Sequence, residues 1–279
     1  MLATEQIGGT GAAWYPLVVM RTLALLSIAI YAVPAFGWGP KGHRLVVRLA
    51  QSMMTPSAKA RMSATLRPRE AIAALASWPD EIRLTRKDTE PWHFVNIEIT
   101  RSGLDMTRDC SHNNCVVAKI TDFRKLWRDG TASPRTRREA LLFLVHFVGD
   151  LHEPLHCADN HDRGGNNLLV AFFGEVMSLH KVWDADLLNR LGAEDALFRT
   201  FSRAVTPDKR TEWSAGTIED WAGESFRAAK DVVYGDLPDT PHGGIPQLGE
   251  AYERAADPVV EQQIEKAGVR LAAILNETP

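Results

Sequence analysis

Five of the nine histidines in this chain stand beside carboxylates or aromatic residues at spacings that suit a divalent metal. The densest run is H-F-V-G-D-L-H-E-P-L-H, residues 146–156. His146 and Asp150 are four positions apart, so on a helix both project from one face. His180 and Asp184, in L-H-K-V-W-D, repeat that pair. A neutral imidazole and a carboxylate so spaced grip one ion from a single rigid element. His156, His93, Asp80 and His43 lie in similarly apolar and aromatic surroundings, and together these residues imply a polynuclear metal site. A lone His146 on an apolar helix would read as a satisfied core histidine. Asp150 on the same helix would not, because a buried carboxylate needs a partner.

The elements that must carry these residues are mostly helical. Apolar stripes mark helices over residues 44–54, 70–77, 118–127, 135–150, 176–191, 196–204, 218–234 and 259–276. The stretch 135–150 is the most apolar and is expected at the centre. Only residues 92–99 and 168–173 have strand character, and they either pair as a small hairpin or stay extended. Residues 159–167 (D-N-H-D-R-G-G-N-N) form a turn-rich loop between the two metal-bearing helices. The fold class is therefore all-α, a single helical domain with at most a small hairpin.

With 45% hydrophobic residues and a formal charge of −3, the chain lacks the basic surplus of proteins that hold nucleic acid through Lys and Arg. Bound metal ions would themselves bring positive charge to a phosphate. Residues 1–37 read as a secretory signal: Arg21 is the basic region, residues 23–33 are the apolar core, and Ala35-Phe36-Gly37 is a small-x-small cleavage site. Met20 is an alternative start. The rival reading, a membrane anchor, meets an apolar run shorter than the ~20 residues a span needs. Export fits Cys110 and Cys115, which close a short polar loop suited to a disulfide; a metal knuckle would need a second cysteine pair. Cys157 reads as a small buried residue rather than a nucleophile.

The motifs W-G-P-K-G-H, W-P-D-E-I-R, P-W-H-F-V-N, H-F-V-G-D-L-H-E-P-L-H, R-G-G-N-N and L-H-K-V-W-D follow one another between residues 38 and 184. In this order they resemble the zinc-dependent single-strand nuclease family of fungi, plants and bacteria, the S1/P1 type. The resemblance implies three zinc ions. Asp80, His93, His146 and Asp150 would hold one. Trp38, through its free α-amino nitrogen and its carbonyl oxygen, would hold a second with His43 and Asp150. His156, His180 and Asp184 would hold the third. Asp80, Arg83 and Asp150 would then act in catalysis, with Arg83 on the phosphate; its plainer reading is a surface charge. Phe94 would be a base-stacking platform or a core residue. Asn96 stands where fungal relatives commonly carry Asp, which leaves base preference open. Asn166 resembles a family residue near the phosphate.

The implied activity is cleavage of RNA and single-stranded DNA to 5′-phosphorylated products, with 3′-nucleotidase activity. The protein is expected to be secreted or periplasmic, monomeric, and without stable membrane association once the signal is removed. A zinc-dependent phospholipase C shares the fold and the cluster, but it usually carries Glu where this chain has Asp184. A non-enzymatic zinc-binding protein would leave Arg83 and Phe94 without purpose. His152 and His156 also satisfy the H-E-x-x-H peptidase pattern, which requires both histidines on one helical face. Pro154 between them disfavours such a helix. His112, His152, His161 and His242 have no assigned role.

Overall fold

The computed structural model describes residues 37–240 and 243–277. The expected signal segment, residues 1–36, lies outside the described residues, and no helix among those described is long and apolar enough to cross a membrane. Twelve α-helices and one small sheet are described. Helices α1 (Pro40–Met53) and α2 (Pro56–Thr65) both start on a proline, whose fixed φ and missing N–H suit a first turn. Short helices α3 (Trp78–Ile82) and α4 (Met106–Asp109) lead to α5 (Val116–Arg128) and α6 (Pro134–Leu151). The Ser133 side chain caps α6 by accepting the Thr136 N–H at 3.1 Å.

From Ala140 to Leu151 every residue of α6 is buried, as befits a central helix that is apolar all round. Aromatic stacking locks α5 against it, with the Phe123 and Phe143 rings 4.6 Å apart. Chain order continues through α7 (Leu179–Lys181), α8 (Leu187–Leu191), α9 (Glu194–Ala204), α10 (Pro207–Trp213) and α11 (Ile218–Ala228), and ends with α12 (Glu250–Asn276). Helices α1 and α12 touch where Gly268 meets Leu49. A Cβ at Gly268 would lie 2.6 Å from that of Leu49, so only glycine permits the approach.

The helical architecture matches expectation, but several boundaries do not. Residues 70–77 form a 3-10 turn, Ile72–Leu75, instead of a helix. Glu70 is drawn into bonds with the Arg67 N–H and the Arg138 guanidinium, and a new helix opens at Trp78-Pro79. Residues 176–191 are not one helix. Strand β1 (Leu169–Phe172) pairs antiparallel with β2 (Glu175–Ser178), and the chain becomes helical only where Ser178 caps α7. Phe173 and Gly174 form the tight turn between them, both at positive φ (49° and 86°). Strand β3 (Gln247–Leu248) completes the sheet, parallel to β1.

Residues 92–99 do not pair with 168–173. Lys87–His93 is a 3-10 segment, and the extended residues after it run beside 156–159, with Val95 N–H donating to the His156 carbonyl at 2.8 Å. The helix expected over 218–234 gives way to a π-turn at Ala229–Val233. Helix α12 starts at Glu250, running through Pro258 instead of starting after it. Helices α2 and α10 are additions to the expected set.

Candidate metal centre

Four segments bring the expected ligands together. His43 comes from α1, Asp80 from the first turn of α3, and His93 from the end of its 3-10 segment. His146 and Asp150 project from one face of α6, as their spacing requires. Asp150 Oδ2 lies 2.9 Å from His93 Nδ1 and 3.1 Å from His146 Nε2, while Asp80 Oδ1 stands 3.6 Å from the same His146 nitrogen. The other oxygen, Asp150 Oδ1, is 3.4 Å from His43 Nε2. One carboxylate thus addresses two groups of donors.

A further group forms where the chain leaves α6. His156 lies on the 3-10 turn Pro154–Cys157, and His180 on α7. Asp184 lies on a π-turn, Val182–Asp186, a backbone irregularity common at functional sites. His180 Nε2 is 3.3 Å from Asp184 Oδ2. Glu153 joins this group: its own donor atom and those of His156, His180 and Asp184 all lie within 4.8 Å of one another.

The backbone orients the imidazoles. His146 Nδ1 bonds the Ala76 carbonyl at 2.8 Å, His156 Nδ1 the His93 carbonyl at 2.8 Å, and His180 Nδ1 the Gly164 carbonyl at 2.5 Å. Each contact fixes a ring with Nε2 turned toward the carboxylates, the arrangement that metal-ligating histidines use. Several polar atoms of these residues are orphaned: Asp80 Oδ1, His93 Nε2, Asp150 Oδ1, His156 Nε2, His180 Nε2 and Asp184 Oδ1 are buried without a hydrogen-bond partner. A native fold rarely leaves so many polar atoms unpaired in one place unless an ion satisfies them. The residues therefore fit divalent metal.

Charge in the site follows the same logic. Burial pushes the imidazoles of His43, His93 and His156 down and keeps them neutral, the form a ligand needs. Burial, reinforced by His156, pushes His180 down to about 3. At His146 burial is outweighed by Asp150 and Asp80, which push it up to about 10. Two carboxylates that favour positive charge at this point also suit a divalent cation. Burial, with Glu153 nearby, pushes the Asp184 carboxyl well above the usual carboxylate range, and burial takes Glu153 to about 8.

The S1/P1 nuclease family model matches residues 38–278. This chain belongs to the S1/P1 nuclease family. Among its relatives in the family, nuclease P1 of Penicillium citrinum is 32% identical over 269 residues, 86% of this chain and 97% of that protein. Nuclease PA3 of a Penicillium species shows the same identity and coverage. Endonuclease 2 of Arabidopsis thaliana is 29% identical over 276 residues, 88% of this chain and 92% of that protein.

Other expected residues of this family member fall as follows. Trp38 is buried, its carbonyl receives the His43 N–H at 3.3 Å, and a Cβ on Gly37 before it would meet Asp150 Oδ1 at 1.8 Å. The 37–38 junction therefore lies inside the cluster. Arg83 is buried, not a surface charge, with Nε 3.9 Å from Asp80 Oδ1. Phe94 is half-buried and, among the described residues, is not one of the apolar side chains packed on the core. Asn96 is exposed, and Asn166 spends its Nδ2 on the Arg163 carbonyl at 2.9 Å within the loop.

His152 turns away from the cluster: its Nδ1 bonds the Val148 carbonyl at 2.7 Å and its Nε2 receives Arg270 Nη1 at 2.9 Å. The peptidase pair is thus not formed. Cys110 and Cys115 are disulfide-bonded. Cys157 is buried with its thiol donated to the Leu151 carbonyl, and burial pushes its pKa well up, which suits an inert residue. Glu153 is the acidic member that sequence reasoning missed. Its signal was its place midway between Asp150 and His156, in a run where it was read only as part of the H-E-x-x-H pattern.

Proposed function

We propose that this protein is a secreted or periplasmic zinc-dependent endonuclease. It hydrolyses RNA and single-stranded DNA to 5′-phosphorylated products and removes phosphate from 3′-nucleotides. The observation that carries the reading is Asp150, whose two oxygens face His93 with His146 on one side and His43 on the other. That is the bridging carboxylate of a paired-metal site. Mixed imidazole and carboxylate donors suit zinc, three ions in all. When bound, the ions supply a water acidified enough to attack phosphorus at neutral pH and charge to steady the leaving oxygen.

The chain's own residues do the rest. Asp80, His93 and His146 with Asp150 hold one ion, and His156, His180 and Asp184 hold another. His43, Asp150 and the Trp38 terminus, freed by cleavage after Gly37, hold the third. Arg83, buried beside Asp80, is poised to bind a phosphate oxygen, where a guanidinium gives paired, charge-assisted hydrogen bonds. Phe94 offers a ring to a base, and only a strand free to splay its bases can use it. Asn166, in the loop whose Gly164 carbonyl meets His180 Nδ1, stands near the phosphate. Assays of the protein starting at Trp38 on single-stranded DNA, RNA, 3′-AMP and phosphatidylcholine test the reading. Cleavage of the first three is expected; hydrolysis of phosphatidylcholine alone would overturn it.

A further inference from the structure

We propose that Glu153 is a fourth protein ligand to the ion held by His156, His180 and Asp184. The inference rests on reading that group as a metal site. Glu153 sits at the N-cap of the 3-10 turn Pro154–Cys157, and its Oε2 accepts the His156 N–H at 2.8 Å. Capping explains one oxygen and does not require a charge, since neutral Ser, Thr or Asn side chains cap as well. The other oxygen, Oε1, is buried without a hydrogen-bond partner. Glu153 itself has no exposed surface. A carboxylate that far from water keeps its charge only beside a cation.

The geometry supplies a place for one. Glu153 Oε2 is 3.9 Å from His156 Nε2, and His180 Nε2 is 3.3 Å from Asp184 Oδ2. An ion with bonds of about 2.0–2.2 Å holds tetrahedral ligands about 3.3–3.6 Å apart, which the second distance meets and the first exceeds by a few tenths of an ångström. Two of the other atoms at this point, His156 Nε2 and His180 Nε2, are likewise buried and unpartnered, as is the second oxygen of Asp184, Oδ1. A two-histidine, two-carboxylate set would supply four protein donors and balance the charge of a divalent ion.

The test is zinc retention against graded concentrations of a strong chelator, read by metal analysis on the protein beginning at Trp38. Glu153→Gln keeps an oxygen for the His156 N–H but removes the charge. It is expected to release one ion at chelator concentrations about tenfold lower or more, within the range seen for altered metal-site partners. Fully stripped wild type and Glu153→Gln are expected to unfold at the same temperature, and Glu153→Asp to recover part of the retention. Superimposable retention curves would overturn the proposal. So would equal retention with a lower unfolding temperature of the stripped variant, which marks a cap alone. His180→Ala separates the two levels: if it costs no zinc, the metal reading of this group fails and the part of Glu153 with it.

Discussion

Asp150 Oδ1, on α6, lies 3.4 Å from His43 Nε2, on α1, and both side chains are wholly buried. Because Asp150 Oδ2 is at the same time 2.9 Å from His93, this contact joins two donor groups that separate helices carry. Asp150→Asn keeps the size of the side chain but gives up its charge. The substitution is expected to lower the zinc content by close to two ions per chain and turnover by at least about 10²-fold, the scale of losing a key electrostatic contact. His180→Ala should cost one ion. Metal analysis after gel filtration decides, and unchanged zinc in Asp150→Asn would make Asp150 a structural carboxylate.

The same helix crossing predicts a tolerance limit at Gly149. A Cβ there would fall 2.7 Å from His43 Nδ1. Gly149→Ala is expected to destabilise the fold by about 1–3 kcal/mol, as overpacking does. It should also loosen the ion nearest His43 before the others. Thermal unfolding and zinc retention measure the two effects.

In the form that begins at Trp38, zinc should depend on the free amine of that residue. An α-amino group has a pKa near ~8 and yields its lone pair to a metal, whereas an amide nitrogen does not. Protein beginning at Trp38 is expected to hold one ion more than protein with one extra residue in front. An added alanine should be worse than an added glycine, because a Cβ at position 37 would meet Asp150 Oδ1 at 1.8 Å. Equal zinc in all three forms would remove the terminus from the ligand set.

Phe94 offers a cleaner separation of binding from chemistry. Phe94→Ala should leave zinc content unchanged and raise KM by the worth of a stacked base, about 1–3 kcal/mol. A fall in kcat at constant KM would instead place Phe94 in support of His93.

Acid sensitivity has a source away from the metals. Glu224 bonds Arg270 Nη2 through both oxygens at 2.8 Å and Lys266 Nζ at 2.8 Å. Half-burial works to raise its pKa, but Lys266 and Arg270 outweigh it and hold the carboxyl below its ordinary value. A depressed folded pKa stabilises above the unfolded value, about 4.3, and that stability is lost as pH falls through the folded one. Glu224→Gln is therefore expected to cost roughly 1–3 kcal/mol at neutral pH, the scale of charged hydrogen bonds. The difference from wild type should shrink in urea unfolding below about pH 4.3. A gap that stays constant into acid would show a packing effect instead.

Much of the site was legible before any fold was known, because its spacing is local. His146 with Asp150 and His180 with Asp184 are each four positions apart, and a helical backbone turns that spacing into a shared face. The pair at 180–184 survives even though its backbone is a π-turn. The helices themselves follow from apolar periodicity and capping, as at Ser133 and Pro134. Boundaries failed where a long-range partner overrode local preference. Arg138 drew Glu70 away from a helix, and β1 took residues 175–178 as its hairpin partner.

Residue types, order and spacing determined by themselves that this chain carries a histidine and carboxylate metal centre on a helical scaffold. Those properties depend on neighbours within a turn or two, where the backbone leaves few choices. Tertiary structure alone decided that Asp150 turns one oxygen to each of two groups, that Glu153 and His156 meet His180 and Asp184, and that His152 faces Arg270 instead. Each depends on which side chain a distant segment brings into contact, and therefore on how α1, α6 and α12 cross. The burial those crossings create, with no exposed surface left on Asp150 or Glu153, is what makes an ion the remaining partner for their charge.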